Sequence, residues 1–228
     1  MANYIEDPEK YHELTKIMYI DSYGDLDLIE VIKNINPNSI LEVGCGTGYL
    51  TEKVINFFGG RIVATDVNQS FLDFAQRKIK NLKTFNFDAI KDKLSEPVEL
   101  IYCRFVFHHI KNIDKVRFLE NLKRNSKKII LLDYFIPKGN KIEALKKFHD
   151  YRSKLFQGNP ELIRLDKETL ELSLQGKEEH KISLDEFYFH LKKSDFKVVY
   201  HELITNFAID DPSLFGLHLF VLEKEDKK

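Results

Sequence analysis

Apolar positions along the chain switch between helical and strand spacing, which predicts an α/β protein. Short apolar runs typical of strands lie at 39–43, 61–65, 83–88, 98–104 and 128–133. Helical spacing predicts helices over the first 20 residues and at 26–35, 47–58, 70–79 and 116–122. Because the helices fall between consecutive strands, the strands are expected to form a parallel sheet with helices on both faces.

Near the end of the chain, the alternation of strands and helices gives way to two consecutive strands. A capping-box pair, Ser183 and Glu186, opens a predicted helix over 184–193. Two strands follow at 197–204 and 215–223, joined by a loop that contains Asp210-Asp211-Pro212. Strands joined in this way pair antiparallel, so the sequence predicts a doubly wound, mostly parallel sheet that ends in an antiparallel hairpin.

Between the fifth strand and the capping box, the pattern predicts an insertion at 140–181 within a single domain that spans 1–228. Its first helix, 141–156, carries an apolar stripe, and such a stripe has to cover something. The ends of strands four and five are the place where an open α/β sheet presents its ligand crevice, so we expect the insertion to cap a substrate site. The stripe consists of Ile142, Leu145, Phe148, Tyr151 and Leu155, and the residues expected to contact an acceptor are Tyr151, Arg152 and Phe156.

Composition and charge narrow the class of protein. Of the 228 residues, 43% are hydrophobic and 31% charged, typical of a globular chain. Lys plus Arg (35) almost cancels Asp plus Glu (36), which gives no support for a nucleic-acid partner. Two cysteines cannot build a disulfide framework, so a reducing cytoplasm is the expected location. The polar N-terminus is unlike a signal peptide, and no apolar run is long enough for a membrane partner.

A glycine-rich loop carries the candidate chemistry. Glu42-Val-Gly44-Cys45-Gly46-Thr-Gly48 lies between the first strand and its helix, where backbone N–H groups can approach a ligand closely. Asp66 ends the next strand, at a spacing suited to a ribose diol. The spacing G-x-G-x-G differs from the G-x-G-x-x-G of dinucleotide folds. A carboxylate before the first glycine would also repel a pyrophosphate and attract an ammonium group. Together these residues indicate an adenosine-containing ligand.

The run ILEVGCGTGYL resembles the first motif of the class I, Rossmann-like S-adenosylmethionine-dependent methyltransferases. The resemblance covers residues 24–136 and the terminal hairpin. It implies that Glu42 and the glycines surround the methionine part of S-adenosylmethionine, and that Asp66 binds the ribose hydroxyls. It also places Asp88 near the adenine amino group, with Val67 and Ala89 beside the ring. One of the tyrosines Tyr4, Tyr11 and Tyr19 is expected to lie over the cofactor.

The segment after strand four, Arg104 to Ile110, contains paired histidines similar to those of small-molecule methyltransferases. The resemblance places the backbone near Arg104 at the methionine end, where an arginine departs from the family's small or amide residues. His108 and His109 are the candidate bases, although a histidine after a strand is often a packing residue. Cys45 is interpreted as a small spacer in the loop, because nothing in the sequence activates it as a nucleophile.

These features predict direct methyl transfer to a small molecule, with S-adenosyl-L-homocysteine as the product and no metal. Such a site works by positioning and by exclusion of water. Two alternatives stay open: an RNA or protein methyltransferase, and a protein that binds the cofactor without methyl transfer. The sequence does not name the acceptor, its reacting atom or the oligomeric state.

Overall fold

The computed structural model describes residues 6–18, 24–206 and 216–225. In these ranges, strands and helices alternate as predicted until the hairpin at the end. The strands are β1 (Ser39–Val43), β2 (Arg61–Asp66), β3 (Lys83–Asn86), β4 (Leu100–Arg104), β5 (Lys128–Phe135), β6 (Phe196–Asn206) and β7 (Gly216–Lys224). The α-helices are α1 (Pro8–Met18), α2 (Asp25–Ile35), α3 (Tyr49–Ile55), α4 (Gln69–Lys78), α5 (Lys115–Asn125), α6 (Lys141–Leu155), α7 (Pro160–Leu174) and α8 (Leu184–Lys193).

The strands form one seven-stranded sheet in the order β3-β2-β1-β4-β5-β7-β6. Strands β1 to β5 run parallel, whereas β7 is antiparallel to both β5 and β6. The predicted architecture is confirmed. The strand order reverses between β1 and β4, and a crevice opens beyond the carboxyl ends of parallel strands at such a point. Every residue of the glycine loop and the histidine pair lies at this edge.

Alternation along the central strands divides the core between the two faces of the sheet. One face packs α5 and α8 over Leu41, Val43 and Ile101, and the other packs α2, α3 and α6 over Ile40 and Tyr102. Glu42 is two residues from Ile40, so it points to the face covered by α3. This register puts a carboxylate under a helix and away from water.

Several predicted boundaries are corrected. The helix expected over 47–58 spans only α3, because positions 44–48 form a loop with three glycines at positive φ. β3 ends at Asn86, two residues before Asp88, and β4 starts at Leu100 where the sequence predicted 98. α2 ends before Pro37 as predicted, with Asn36 in the left-handed conformation at its C-cap.

Helices α6 and α7 make up most of the insertion, which we call the cap (residues 140–181). The stretch around Leu170 to Leu174, which sequence patterns left ambiguous, is helical. The predicted apolar stripe of α6 is wrong at its ends: Ile142 is 57% exposed and Leu155 45%, while Leu145 and Phe148 are buried. Only the middle turns of α6 pack against the domain.

Asn68 caps α4, and Ser183 with Glu186 forms the predicted capping box of α8. The predicted loop at 210–212 and the tyrosines Tyr4 and Tyr19 lie outside the described residues. No helix in the described ranges is long and apolar enough to cross a membrane.

Candidate cofactor and active site

The glycine loop is tied to the end of β2 by its own backbone. The N–H groups of Gly44 and Cys45 both donate to the carbonyl of Thr65, at 2.8 and 2.9 Å. Thr65 returns a bond from its hydroxyl to the carbonyl of Glu42, at 2.8 Å. These bonds fix the loop as it leaves the sheet, so its remaining groups are presented to the crevice.

Two glycines of the loop have left-handed backbone conformations, and at one of them a side chain would overlap a neighbour. Gly44 has φ +74°, and a Cβ built on it would lie 2.3 Å from a methyl carbon of Val106. Gly46 has φ +54°, and its nearest neighbour is the ring of Tyr11, 3.6 Å from the position of a Cβ. Both residues use a left-handed conformation that favours glycine. The loop therefore forms a concave backbone surface beside Tyr11.

Glu42 lies under this loop and is only 2% exposed. Thr51 in the first turn of α3 donates a short hydrogen bond to its carboxylate, and the Tyr102 hydroxyl faces it. Burial raises the pKa of Glu42 to about 7, against the hydrogen bond from Thr51 that lowers it. A carboxylate held in this way is stabilised by any cation that enters the crevice.

Asp66 ends β2 beside the loop and binds two backbone N–H groups. One oxygen accepts from Gly46 and the other from Asn68, each at 2.9 Å. Burial raises its pKa despite these bonds. Val67, the next residue, is 67% exposed and forms an apolar surface at the rim.

Asp88 follows β3 at the same edge of the sheet. One oxygen accepts from the N–H of Ile90 and the other pairs with Lys91 at 2.7 Å. Although partial burial acts in the opposite direction, these contacts hold the pKa of Asp88 below its ordinary value. The buried Asn121 side chain holds the loop that follows, donating to the carbonyl of the buried Ala89 at 2.9 Å.

The histidine pair sits in a 3₁₀ turn, Phe107–His109, directly after β4. His108 is buried, and its Nδ1 lies 2.5 Å from Asp133 at the end of β5. The second oxygen of Asp133 accepts from the backbone N–H of His108 at 3.2 Å. Burial alone would raise the pKa of Asp133, but His108 keeps it below its ordinary value. Asp133 therefore anchors the whole turn.

His109 has a different environment from His108, although their ring centroids are 4.1 Å apart. Its side chain is exposed to solvent, whereas His108 is 5% exposed. Crowding by protein atoms and the neighbouring His108 lower the pKa of His109.

A chain of buried charges links this turn to the cap. Glu179 lies 3.8 Å from Nε2 of His108 and, through its other oxygen, 3.8 Å from Nε2 of His149. His149 pairs with Asp166 at 3.0 Å, and Arg152 pairs with the same carboxylate at 3.1 Å. The fully buried Lys181 pairs closely with Glu179. Together these contacts join β4, α6 and α7 next to the crevice.

Arg104, the last residue of β4, forms an ion pair with a residue of helix α2. Its Nε lies 2.6 Å from Asp25, which begins α2 and is fully buried. Lys53 from α3 reaches the other oxygen of Asp25 at 2.9 Å. The Arg104 guanidinium also lies over the ring of Phe105, 4.3 Å from its centroid. In this structure Arg104 therefore faces Asp25, and its predicted contact with the cofactor is not tested.

The three acceptor candidates of the cap occupy different positions. Tyr151 is half-buried on the side of α6 that packs toward the sheet. Arg152 is held by Asp166, as described above. Phe156 is 8% exposed and packs with Leu14 of α1, inside the cap. Phe156 is the most buried of the three, so it is the least accessible to an acceptor.

Sequence reasoning missed the partners of the candidate residues. One signal was available: Asp133 is a carboxylate within an otherwise aliphatic strand, at its carboxyl end. For Asp25 and Glu179 there was no comparable signal, because their contacts with Arg104 and His108 join segments that lie far apart in the chain. In the described part of the chain, no group of three His, Cys, Asp or Glu side chains is placed to hold a metal ion.

Comparison with known proteins identifies the domain. Residues 40–128, which contain the glycine loop, Asp66, Asp88 and the histidine turn, match the family described as "Methyltransferase domain". This part of the chain is similar to a methyltransferase domain. A malonyl-[acyl-carrier protein] O-methyltransferase of Bacillus cereus is 36% identical to it over 87 residues, or 36% of this chain and 31% of that protein. The match spans about a third of the length of such curated relatives.

Solved structures share the fold over almost the whole chain. A S-adenosylmethionine-dependent methyltransferase from Clostridium acetobutylicum has a TM-score of 0.66 and 14% identity, covering 96% of this chain and 99% of its own. The plantazolicin methyltransferase BpumL, solved with S-adenosylhomocysteine, has a TM-score of 0.67 and 14% identity, covering 98% and 93%. The chain therefore shares the Rossmann-like fold of these solved methyltransferases, and the shared region includes most of the cap and the hairpin.

The residues of the candidate site fit S-adenosylmethionine chemically. Glu42 provides a buried carboxylate for a cationic group, and burial raises its pKa although the charge of Arg104 acts in the opposite direction. Gly46 leaves backbone room that a Cβ would fill, with only the ring of Tyr11 nearby. Asp66 and Asp88 place carboxylates at the ends of β2 and β3, as a ribose and an adenine amino group would need.

Gly44→Ala is expected to disrupt this loop. The new methyl group would overlap Val106, and the left-handed φ would strain the backbone. We expect the variant to lose at least about 2 kcal/mol of stability or cofactor affinity, measured by urea unfolding and by calorimetry with S-adenosylhomocysteine. Gly59→Ala is the matched control, because nothing lies within 4 Å of its added carbon and its φ is not positive. Equal behaviour of the two variants would contradict this description of the loop.

Proposed function

We propose that the protein transfers a methyl group from S-adenosylmethionine to a small molecule. The observation that carries the proposal is the buried Glu42 carboxylate beneath the glycine loop, with Asp66 binding the loop at Gly46. The Glu42 carboxylate would repel a dinucleotide pyrophosphate and attract an ammonium group, whereas Asp66 suits the ribose diol of any adenosine-containing ligand.

In this proposal, the chain's residues bind and orient while S-adenosylmethionine, when bound, supplies an electrophilic methyl group. Glu42 holds the ammonium end, and the backbone of Gly44 to Gly48 lies along the methionine part. Asp66 accepts from the ribose hydroxyls, and Asp88 from the adenine amino group, with Val67 and Ala89 beside the ring. Because the glycine loop is already fixed by its hydrogen bonds, it loses little conformational entropy when the cofactor binds.

His109 is the residue we place on the acceptor side. It is the exposed member of the pair, so an acceptor in the crevice can reach its ring. His108 is held between Asp133 and Glu179, so its role is to position the turn. A neutral His109 can take a proton if the acceptor arrives protonated.

The position of the cap favours a small molecule as the acceptor. His180 donates a backbone hydrogen bond to His108, and Phe148 of α6 packs against Tyr134 at the end of β5 with ring centroids 5.2 Å apart. These contacts support a cap at the carboxyl edge of the sheet, where it would limit the space open to a macromolecule. Structural neighbours named for plantazolicin, mitomycin and magnesium protoporphyrin IX agree with this class of acceptor.

A nucleic-acid acceptor is the second candidate, favoured by one observation. A cleft of about 480 Å³ beside Asp88 is lined by Lys91, Lys93, Arg117 and Arg124, with Glu120 as its acidic residue. Such a basic surface attracts phosphates. It lies against α5 and the loop after β3, outside the histidine turn and the cap.

Calorimetry with S-adenosylhomocysteine and NAD tests the cofactor assignment. We expect the protein to bind S-adenosylhomocysteine and to be stabilised by it against heat through mass action. Asp66→Ala should weaken that binding by about 1–3 kcal/mol, the scale of lost charge-assisted hydrogen bonds. Asp73→Ala, at an exposed position of α4, is the control. Binding of NAD alone, or an Asp66→Ala protein that melts early with unchanged affinity, would refute the assignment.

Transfer of a labelled methyl group tests the class of acceptor. The protein is incubated with cell extract and S-adenosylmethionine labelled in its methyl group, and the extract is then separated into small molecules, RNA and protein. We expect label in the small-molecule fraction, because the cap restricts the crevice. His109→Asn should reduce that label at least about tenfold if His109 acts as the base. Label confined to RNA would favour the second candidate, and label confined to protein would exclude both.

A further inference from the structure

Helix α1 lies across the glycine loop, although nothing in the loop motif requires it. The ring of Tyr11 approaches Gly46, as described above, and stacks on Phe71 of α4 with centroids 4.7 Å apart. α1 therefore forms a wall of the crevice opposite the end of β1.

His12, the next residue of α1, is 1% exposed and connects two elements of the site. Its Nδ1 lies 3.0 Å from the hydroxyl of Thr47, the residue between Gly46 and Gly48. Its Nε2 lies 2.6 Å from Nζ of Lys78 in α4. An ammonium group has only donors, so Nε2 accepts and Nδ1 carries the hydrogen that is donated to Thr47.

Lys78 extends the connection to α3, because it also pairs with Glu52 at 2.9 Å. His12 thus joins the glycine loop to the helices that follow β1 and β2. These are the strands that carry Glu42 and Asp66. Burial and the charge of Lys78 both lower the pKa of His12, while Glu13 and Glu52 act in the opposite direction and Lys16 adds to the lowering.

The same helix contacts the cap. Leu14 packs with Phe156, Leu162 and Leu165, and Lys10 pairs with Glu161 at 2.5 Å. One short helix therefore touches the glycine loop through Tyr11 and His12, and the cap through Lys10 and Leu14. Its position is fixed from two sides, which makes it a firm support for the loop.

We propose that His12 is a positioning residue for the cofactor loop, holding Thr47 so that the backbone of Gly46 to Gly48 is preformed for the methionine part of the cofactor. This inference rests on the proposed function. When the bond to Thr47 is absent, the loop has to become ordered during binding, and that ordering reduces affinity. His12 does not contact the reacting atoms.

Three substitutions separate the contacts of His12. His12→Leu removes both, His12→Asn retains a donor near the position of Nδ1, and His12→Gln retains an acceptor near the position of Nε2. We expect the dissociation constant for S-adenosylhomocysteine to rise about tenfold in His12→Leu and in His12→Gln, and to stay within about threefold of the wild type in His12→Asn. Lys16→Ala, an exposed change on the same helix, should leave it unchanged.

Thr47→Val completes a double-mutant cycle with His12→Leu. If the bond between the two side chains is the origin of the effect, the double variant should bind no more weakly than the weaker single variant. Full additivity would show that His12 acts elsewhere. Circular dichroism melting identifies any variant that does not fold, in which case His12→Asn and His12→Gln decide the result.

The outcomes separate this inference from the proposed function. A wild-type protein that fails to bind S-adenosylhomocysteine refutes the proposed function. A wild-type protein that binds it, with equal dissociation constants for all His12 variants, overturns the positioning role and leaves the proposed function intact.

Discussion

A carboxylate buried at the end of β1 is the constraint on which the site depends. Placing Glu42 under α3 costs solvation energy, and the protein offsets only part of it through Thr51 and Tyr102. Replacement by a residue of similar size without charge would relieve that cost. The fold retains the carboxylate at the point where the strand order reverses, and we interpret it as a group whose partner is a bound cation.

The other charges of the crevice follow a different pattern. Asp133, Glu179 and Asp166 are buried too, but each has a histidine beside it, and Lys181 and Arg152 add positive charge to the same chain. Breaking a buried pair leaves an uncompensated charge, which is far more costly than losing an exposed pair. The chain therefore holds the cap in one place relative to the histidine turn. Glu42 stands apart from this internally compensated set.

Patterns over a few neighbouring residues predicted the features that depend on neighbouring residues, namely the secondary structure and the glycine loop. In the described part of the chain, apolar spacing predicted the strands and the α-helices other than α7, and the glycine spacing with Asp66 led to the proposed cofactor site. The features that the sequence did not predict depend on contacts between distant segments. The burial of only the middle of α6, the pairing of Arg104 with Asp25, and the use of His12 by the loop 35 residues away all arise from tertiary packing. Distinguishing His108 from His109 also required the structure, because Asp133 selects between them.

The most direct test of the central claim is the number of protons released when S-adenosylhomocysteine binds. With the pKa of Glu42 near 7 in the free protein, its carboxyl is about half protonated at pH 7, and a bound ammonium group would favour the charged form. Calorimetry in two buffers of different ionisation enthalpy should therefore show release of up to about half a proton at pH 7, and little at pH 9. Glu42→Gln should abolish the release. Binding without proton release by the wild type, or an unchanged release in Glu42→Gln, would contradict the account.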